Sequence, residues 1–79
     1  MKPEEGVHIS LTTAEALVLF EWLVRQDGAG TLPFDHPAEE RVLWRLEGQL
    51  EQAVPEVLLP DYGERLAEAR RQVLSPGPL

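Results

Sequence analysis

The sequence predicts a mainly α-helical domain of three helices with a short N-terminal β-strand. Apolar residues recur at helical spacing in three separate stretches, capping residues precede these stretches, and prolines or glycines separate them. A chain of 79 residues suffices for one domain with a single small core. We place that domain at residues 7–74 and expect flexible termini at residues 1–6 and 75–79.

The N-terminal strand is predicted from alternation. Val7, Ile9 and Leu11 fall on one side of the segment, and polar residues fall on the other. A lone strand leaves its backbone amides unpaired, so it needs a partner strand. Residues 56–59 are the candidate within the chain, and a strand from a second chain is the alternative.

The first helix is predicted to begin after Thr12, which forms a capping box with Glu15, and to end at Gly28. It is apolar on two sides. Either the rest of the chain wraps this helix, or another protein covers its second side. The predicted inward side contains Ala16, Leu17, Phe20, Leu23 and Val24, and the second side contains Val18, Leu19 and Trp22.

The second helix is predicted to open at Asp35-His36-Pro37 and to close before Pro55. Gly48 in its interior suggests a close approach or room for a flat group beside Trp44. Trp44 projects away from the predicted inward side and has three glutamates near it. Either it lies against its own chain, or it anchors an arginine or lysine of a partner. The inward side contains Val42, Leu43, Leu46, Leu50 and Ala53, and the glutamates are Glu40, Glu47 and Glu51.

The third helix is predicted to begin with Asp61 as its cap and Glu64 three residues later. Its inward side contains Tyr62, Leu66, Ala69 and Val73.

Charge and composition exclude several classes of partner. Fourteen acidic against seven basic side chains give a net charge of −7, which repels nucleic acids and anionic membranes. The charge promotes solubility or attracts a basic protein partner. The sequence has no cysteine, and its acidic N-terminus does not resemble a secretion signal. No apolar run approaches the ~20 residues of a membrane span, so we expect a cytoplasmic protein.

Motifs for catalysis, cofactors or metals are not evident. His8 and His36 have no spacing that would join them at a metal ion, and no serine has a base arranged beside it. The glycines at positions 28 and 30 lack the lysine and the helix start of a phosphate-binding loop. We therefore expect a protein that is not an enzyme and binds no cofactor or metal.

Residues 15–23, 38–47 and 60–62 resemble segments of small bacterial helical proteins that have no assigned activity. The resemblance covers residues 7–74. It implies a bacterial cytosolic protein of about this length that stands alone rather than as part of a larger enzyme. It implies no activity and no site.

Together these features favour a non-catalytic, acidic protein-binding module, a description that fits many immunity proteins and antitoxins. Two alternatives stay open. One is a homodimeric structural protein that buries the second side of the first helix against its symmetry mate. The other is a small ligand-binding domain or enzyme. The predicted partner-binding residues are Val18, Leu19, Trp22, Glu40, Trp44, Glu47 and Glu51.

Overall fold

The structure, a computed structural model, describes residues 6–30 and 32–75, with residue 56 described by its backbone only. The described part of the chain contains three α-helices and one short 3₁₀ helix. In chain order these are α1 (Thr13–Ala29), α2 (Pro37–Ala53), the 3₁₀ helix (Pro55–Leu58) and α3 (Tyr62–Leu74). The predicted mainly helical class and the three helices are confirmed.

The predicted N-terminal strand is not present among the described residues. Residues 6–11 are irregular and share no backbone hydrogen bond with another described residue. Residues 56–59, its candidate partner within the chain, lie mostly in the 3₁₀ helix, so the structure does not show this pairing. Pro55 fixes a φ angle suited to a helical turn, and the Val57 amide closes that turn by donating to the Val54 carbonyl at 3.2 Å.

The start of α1 follows the prediction. The Thr12 hydroxyl accepts from the Glu15 amide at 3.0 Å, and the Glu15 carboxylate accepts from the Thr12 amide at 2.8 Å. The predicted end at Gly28 is wrong. The helix continues to Ala29, and Gly30 is the left-handed residue, with φ 68° and its amide donating to the Asp27 carbonyl.

The caps of the other two helices differ from each other. Pro37 opens α2, and the imidazole Nδ1 of His36 accepts from the Ala38 amide at 3.0 Å. At α3, Asp61 is the N-cap residue by position, but its side chain makes no capping hydrogen bond. The Asp61 carboxylate instead accepts from the Arg65 guanidinium at 2.8 Å, which replaces the predicted cap.

The core forms around α1, which packs more extensively against α3 than against α2, while the 3₁₀ helix contacts both α2 and α3. Among the described residues, the buried side chains are Ala16, Leu17, Leu23, Leu50, Val54, Leu66 and Ala69. The side chains packed partly against them are Ala14, Val18, Leu19, Phe20, Leu43, Val57 and Tyr62. The central position of α1 explains why it is apolar on two sides.

The predicted inward sides of α1 and α3 are each one residue too wide. Val24 on α1 and Val73 on α3 are exposed, while the other predicted members are buried or half-buried. For α2 the prediction is largely wrong. Leu50 is buried and Leu43 half-buried, but Val42, Leu46 and Ala53 are exposed. The side of α2 that packs into the core contains Leu43 and Leu50, and it lies beside the rest of the predicted apolar side rather than at its centre.

None of the helices in the described ranges combines the length and the apolar composition that crossing a bilayer requires.

Candidate protein-binding surface

Helix α2 divides along its length into three strips. At 100° per residue, Leu43, Leu50 and Val54 fall within about 40° of each other, and these are the side chains that pack into the core. Val42, Leu46 and Ala53 lie on one flank of that arc. On the other flank, within about 60°, lies a set that we call the acidic strip, which consists of Glu40, Trp44, Glu47 and Glu51.

Trp44 is the one aromatic residue of the acidic strip, and it is 52% exposed. It therefore does not lie buried under the loop that precedes α2. Glu51 is exposed, while Glu40 and Glu47 are half-buried. Arg41 and Arg45 fall outside the strip by helical geometry. The indole thus presents much of its surface to solvent among carboxylates.

A fourth carboxylate joins the acidic strip from another helix. Asp27, in the last turns of α1, lies within hydrogen-bonding reach of Glu47. The Glu47 oxygen Oε2 is buried and accepts no hydrogen bond from a described residue. An ionised carboxylate can only accept hydrogen bonds, so it cannot donate to this oxygen. Burial first, and then the charge and proximity of Asp27, raise the pKa of Glu47 above its ordinary value.

The neighbourhood of Asp27 carries further negative potential. A shallow cleft between the end of α1, the following loop and α2 has Asp27 and Glu40 in its wall, together with Phe34. The last turn of α1 contains no basic residue to offset the negative end of its helix dipole. A cation from another molecule would therefore be stabilised here by several groups at once.

The second side of α1 is only partly available. Val18 and Leu19 are half-buried and pack against the core. Trp22 is 44% exposed and is the member of that side that a partner could contact. The homodimer alternative requires Val18, Leu19 and Trp22 to be exposed together. Two of these three side chains are half-buried, so most of the surface proposed for that dimer is not available.

Gly48 faces open space. A Cβ atom built there would meet nothing within 4 Å, so no other element approaches this point and the expected close approach is absent. The space one turn beyond Trp44 is correspondingly open. This geometry is compatible with room beside the indole, and equally with a glycine that is merely tolerated at this position.

Carboxylates on α3 are occupied differently from those of the acidic strip. Asp61 pairs with Arg65, and Glu68 pairs with Arg71 and accepts from Gln72. These partners lower the pKa values of both carboxyl groups. These ion pairs thus match part of the charge of the groove between α1 and α3, which Glu64 also lines.

Elsewhere in the described part of the chain, residues that could bind a metal ion do not cluster. Within the described ranges, no three histidine, aspartate or glutamate side chains lie close enough together to hold a metal ion. His36 is engaged as the cap of α2, and His8 lies in the irregular segment before α1.

Sequence reasoning missed Asp27. It is 20 positions from Glu47 in the chain, and no spacing rule for a single helix joins residues on two different helices. The available signal was the position of Asp27 in the last turns of α1, where no basic residue offsets its charge.

No family model, no curated protein and no solved structure matches this chain.

Proposed function

We propose that this chain is a non-catalytic protein-binding module whose acidic strip holds a basic segment of a partner protein. The observation that carries the proposal is Trp44, half exposed on α2 among Glu40, Glu47, Glu51 and the neighbouring Asp27. In this proposal the chain acts by covering a working surface of its partner, as immunity proteins and antitoxins do. We place it in the bacterial cytoplasm.

The chemistry of the strip favours an arginine as the central contact. A guanidinium group stacks on an indole and donates in-plane hydrogen bonds to carboxylates at the same time. Trp44 provides the ring and Glu40, one turn before it, provides the acceptor. Glu51, two turns or roughly 10 Å further along the helix, would accept from a second basic group of the partner. Tryptophan is enriched among the residues that dominate binding energy at interfaces, which supports assigning the anchor to Trp44.

The net charge of −7 has a separate role in this proposal. Long-range attraction raises the rate of encounter with a basic protein, and it weakens as salt screens the charges. The anchor governs how long the complex lasts, and the charges govern how quickly it forms.

The test is affinity capture followed by measurement on the purified partner. Wild-type protein, Trp44→Ala and Val42→Ala are immobilised and exposed to lysate of the source cells. Val42 is the matched control because it is 65% exposed on the opposite side of α2. The captured protein is then purified and titrated calorimetrically against all three variants.

We expect a basic polypeptide whose affinity falls at least about tenfold with Trp44→Ala and stays unchanged with Val42→Ala. Its association rate should fall as salt rises, and Glu51→Gln should lower that rate further. A captured protein that binds Trp44→Ala as tightly as wild type would overturn the assignment of the surface. Capture of nothing by the wild-type chain would overturn the function.

A further inference from the structure

The segment before α1 leaves apolar side chains without cover. Val7 is 91% exposed and Ile9 is 81% exposed, and Leu11 is exposed as well. Residues 6–11 also share no backbone hydrogen bond with another described residue. Free amides and carbonyls next to alternating apolar side chains are the features that allow one strand to pair with another.

The charge pattern indicates which kind of strand would pair there. Residues 6–14 contain no acidic residue, lysine or arginine, in a chain that carries fourteen acids and seven bases. Two copies of a molecule with net charge −7 repel each other over most of their surface. They do not repel each other through this segment. A basic partner, in contrast, would find no carboxylate between Gly6 and Ala14.

The order of residues in the segment is self-complementary. An antiparallel pairing centred on Ile9 sets Val7 opposite Leu11 of the second copy and Ile9 opposite its own equivalent. The apolar residues of both copies then lie on one face of the ribbon, since side chains alternate along a strand. His8 and Ser10 face each other on the other side. No like charges are opposed in this register.

The fold offers that apolar face a place to pack. A two-stranded ribbon is marginal by itself in water, so it requires further apolar contact. Thr12, Ala14 and Glu15 at the start of α1 line a groove together with Gln72 and Val73 at the end of α3. Val73 and the adjacent Leu74 are both exposed. Uncovered apolar side chains thus gather at the end of the molecule from which the segment departs.

We propose that residues 7–11 pair with the same residues of a second copy, forming an antiparallel two-stranded ribbon across a two-fold axis. This interface is independent of the acidic strip on α2. It would cover the apolar side chains and pair the backbone groups of residues 7–11, which the described part of the chain leaves exposed and unpaired.

Sedimentation velocity from 1 to 500 μM tests the association. We expect the wild-type chain to move from monomer to dimer within this range and Ile9→Lys to stay monomeric, because two lysines would then be directly opposed. Val42→Lys carries the same added charge at an exposed apolar site on α2 and should dimerise as the wild type does. Ile9 is not part of the core, so its substitution leaves the fold intact.

Disulfide trapping tests the register, and the absence of native cysteine makes it clean. Ile9→Cys should cross-link readily under mild oxidation, since directly opposed Cα atoms lie about 5 Å apart, within the reach of a disulfide. Val7→Cys should cross-link much more slowly, because its equivalent would lie roughly 14 Å away along the ribbon. A monomeric wild type at 500 μM, or equal cross-linking rates for the two variants, would overturn the proposal.

Discussion

Two glycines in this chain have opposite roles. Gly48 lies in the middle of α2 with open space around it, whereas Gly30 ends α1 in the left-handed region. Replacing Gly48 with alanine should stabilise the protein by about 0.5–1 kcal/mol, because alanine restricts the unfolded chain and nothing obstructs its methyl group. Urea unfolding followed by circular dichroism measures the change.

Gly30→Ala provides the comparison. An L side chain at φ 68° is strained, so this variant should lose about 1 kcal/mol although the added methyl group also meets nothing. If both variants shifted stability in the same direction, backbone conformation would not be the cause of either change.

Tyr62 joins α3 to α1 through one hydrogen bond. Its hydroxyl donates to a Glu21 carboxylate oxygen at 2.8 Å, and the pair is partly buried. We expect Tyr62→Phe to lose about 1–1.5 kcal/mol, since the carboxylate keeps only its pairing with Arg25. Chemical denaturation measures the loss. Arg25→Gln, which removes the solvent-exposed partner of Glu21, should change stability much less.

The same hydrogen bond affects the titration of the phenol. Burial, followed by the hydrogen bond to Glu21 and its charge, raises the pKa of Tyr62 to about 12. A raised pKa means that the folded chain holds this proton more tightly than the unfolded chain, so stability falls as pH rises from about 10 to about 12. Absorbance titration of the native protein should show the phenol ionising late. Ionisation near pH 10 would contradict the hydrogen bond.

At the scale of elements, the contact between α1 and α2 contains one unfavourable pair. Glu47 has a raised pKa because it is half-buried beside Asp27, so its ionised form weakens the fold above its ordinary titration range. Glu47→Gln should stabilise the protein at pH 7 by on the order of 0.5 kcal/mol, because the amide can donate to Asp27. Denaturant melts at pH 7 and pH 4 measure this.

The pH dependence distinguishes the charge from other effects of Glu47→Gln. Below the ordinary glutamate pKa of about 4.3 the wild-type residue is itself largely protonated, so the gain should shrink toward zero at pH 4 and below. Glu51→Gln, on the same strip but exposed, is the control and should change stability little. A gain from Glu47→Gln that stayed constant with pH would rule out the charged pair as its origin.

How far the helices could be predicted depended on where each one packs. Thr12 and Glu15 defined the start of α1 because a capping box is a local interaction that spacing alone specifies. The periodicity of α2 located its apolar stripe, but it could not tell which arc of the stripe would meet α1. For that reason the periodicity placed Val42 and Leu46 on the inward side, whereas both are exposed. Pairing of Asp27 with Glu47 likewise depends on a tertiary crossing.

At the scale of the whole molecule, α1 lies at the centre and the other two helices pack mainly against it rather than against each other. Two helices that each cover one side of a third leave their outer sides uncovered. This arrangement accounts for the exposed apolar residues on α2, and it also accounts for the half-buried state of Val18 and Leu19. The helix count and class could be predicted from the sequence, whereas the exposed surface required this arrangement.

The most direct test of the binding surface is the accessibility of the Trp44 indole in the isolated chain. Trp22→Phe leaves Trp44 as the single tryptophan, and acrylamide quenching of its fluorescence is measured at a concentration where the chain is monomeric. We predict red-shifted emission and efficient quenching, as expected for an indole that is 52% exposed. Blue-shifted emission with strong protection from acrylamide would place Trp44 in the interior of the lone chain and contradict its role as a binding anchor.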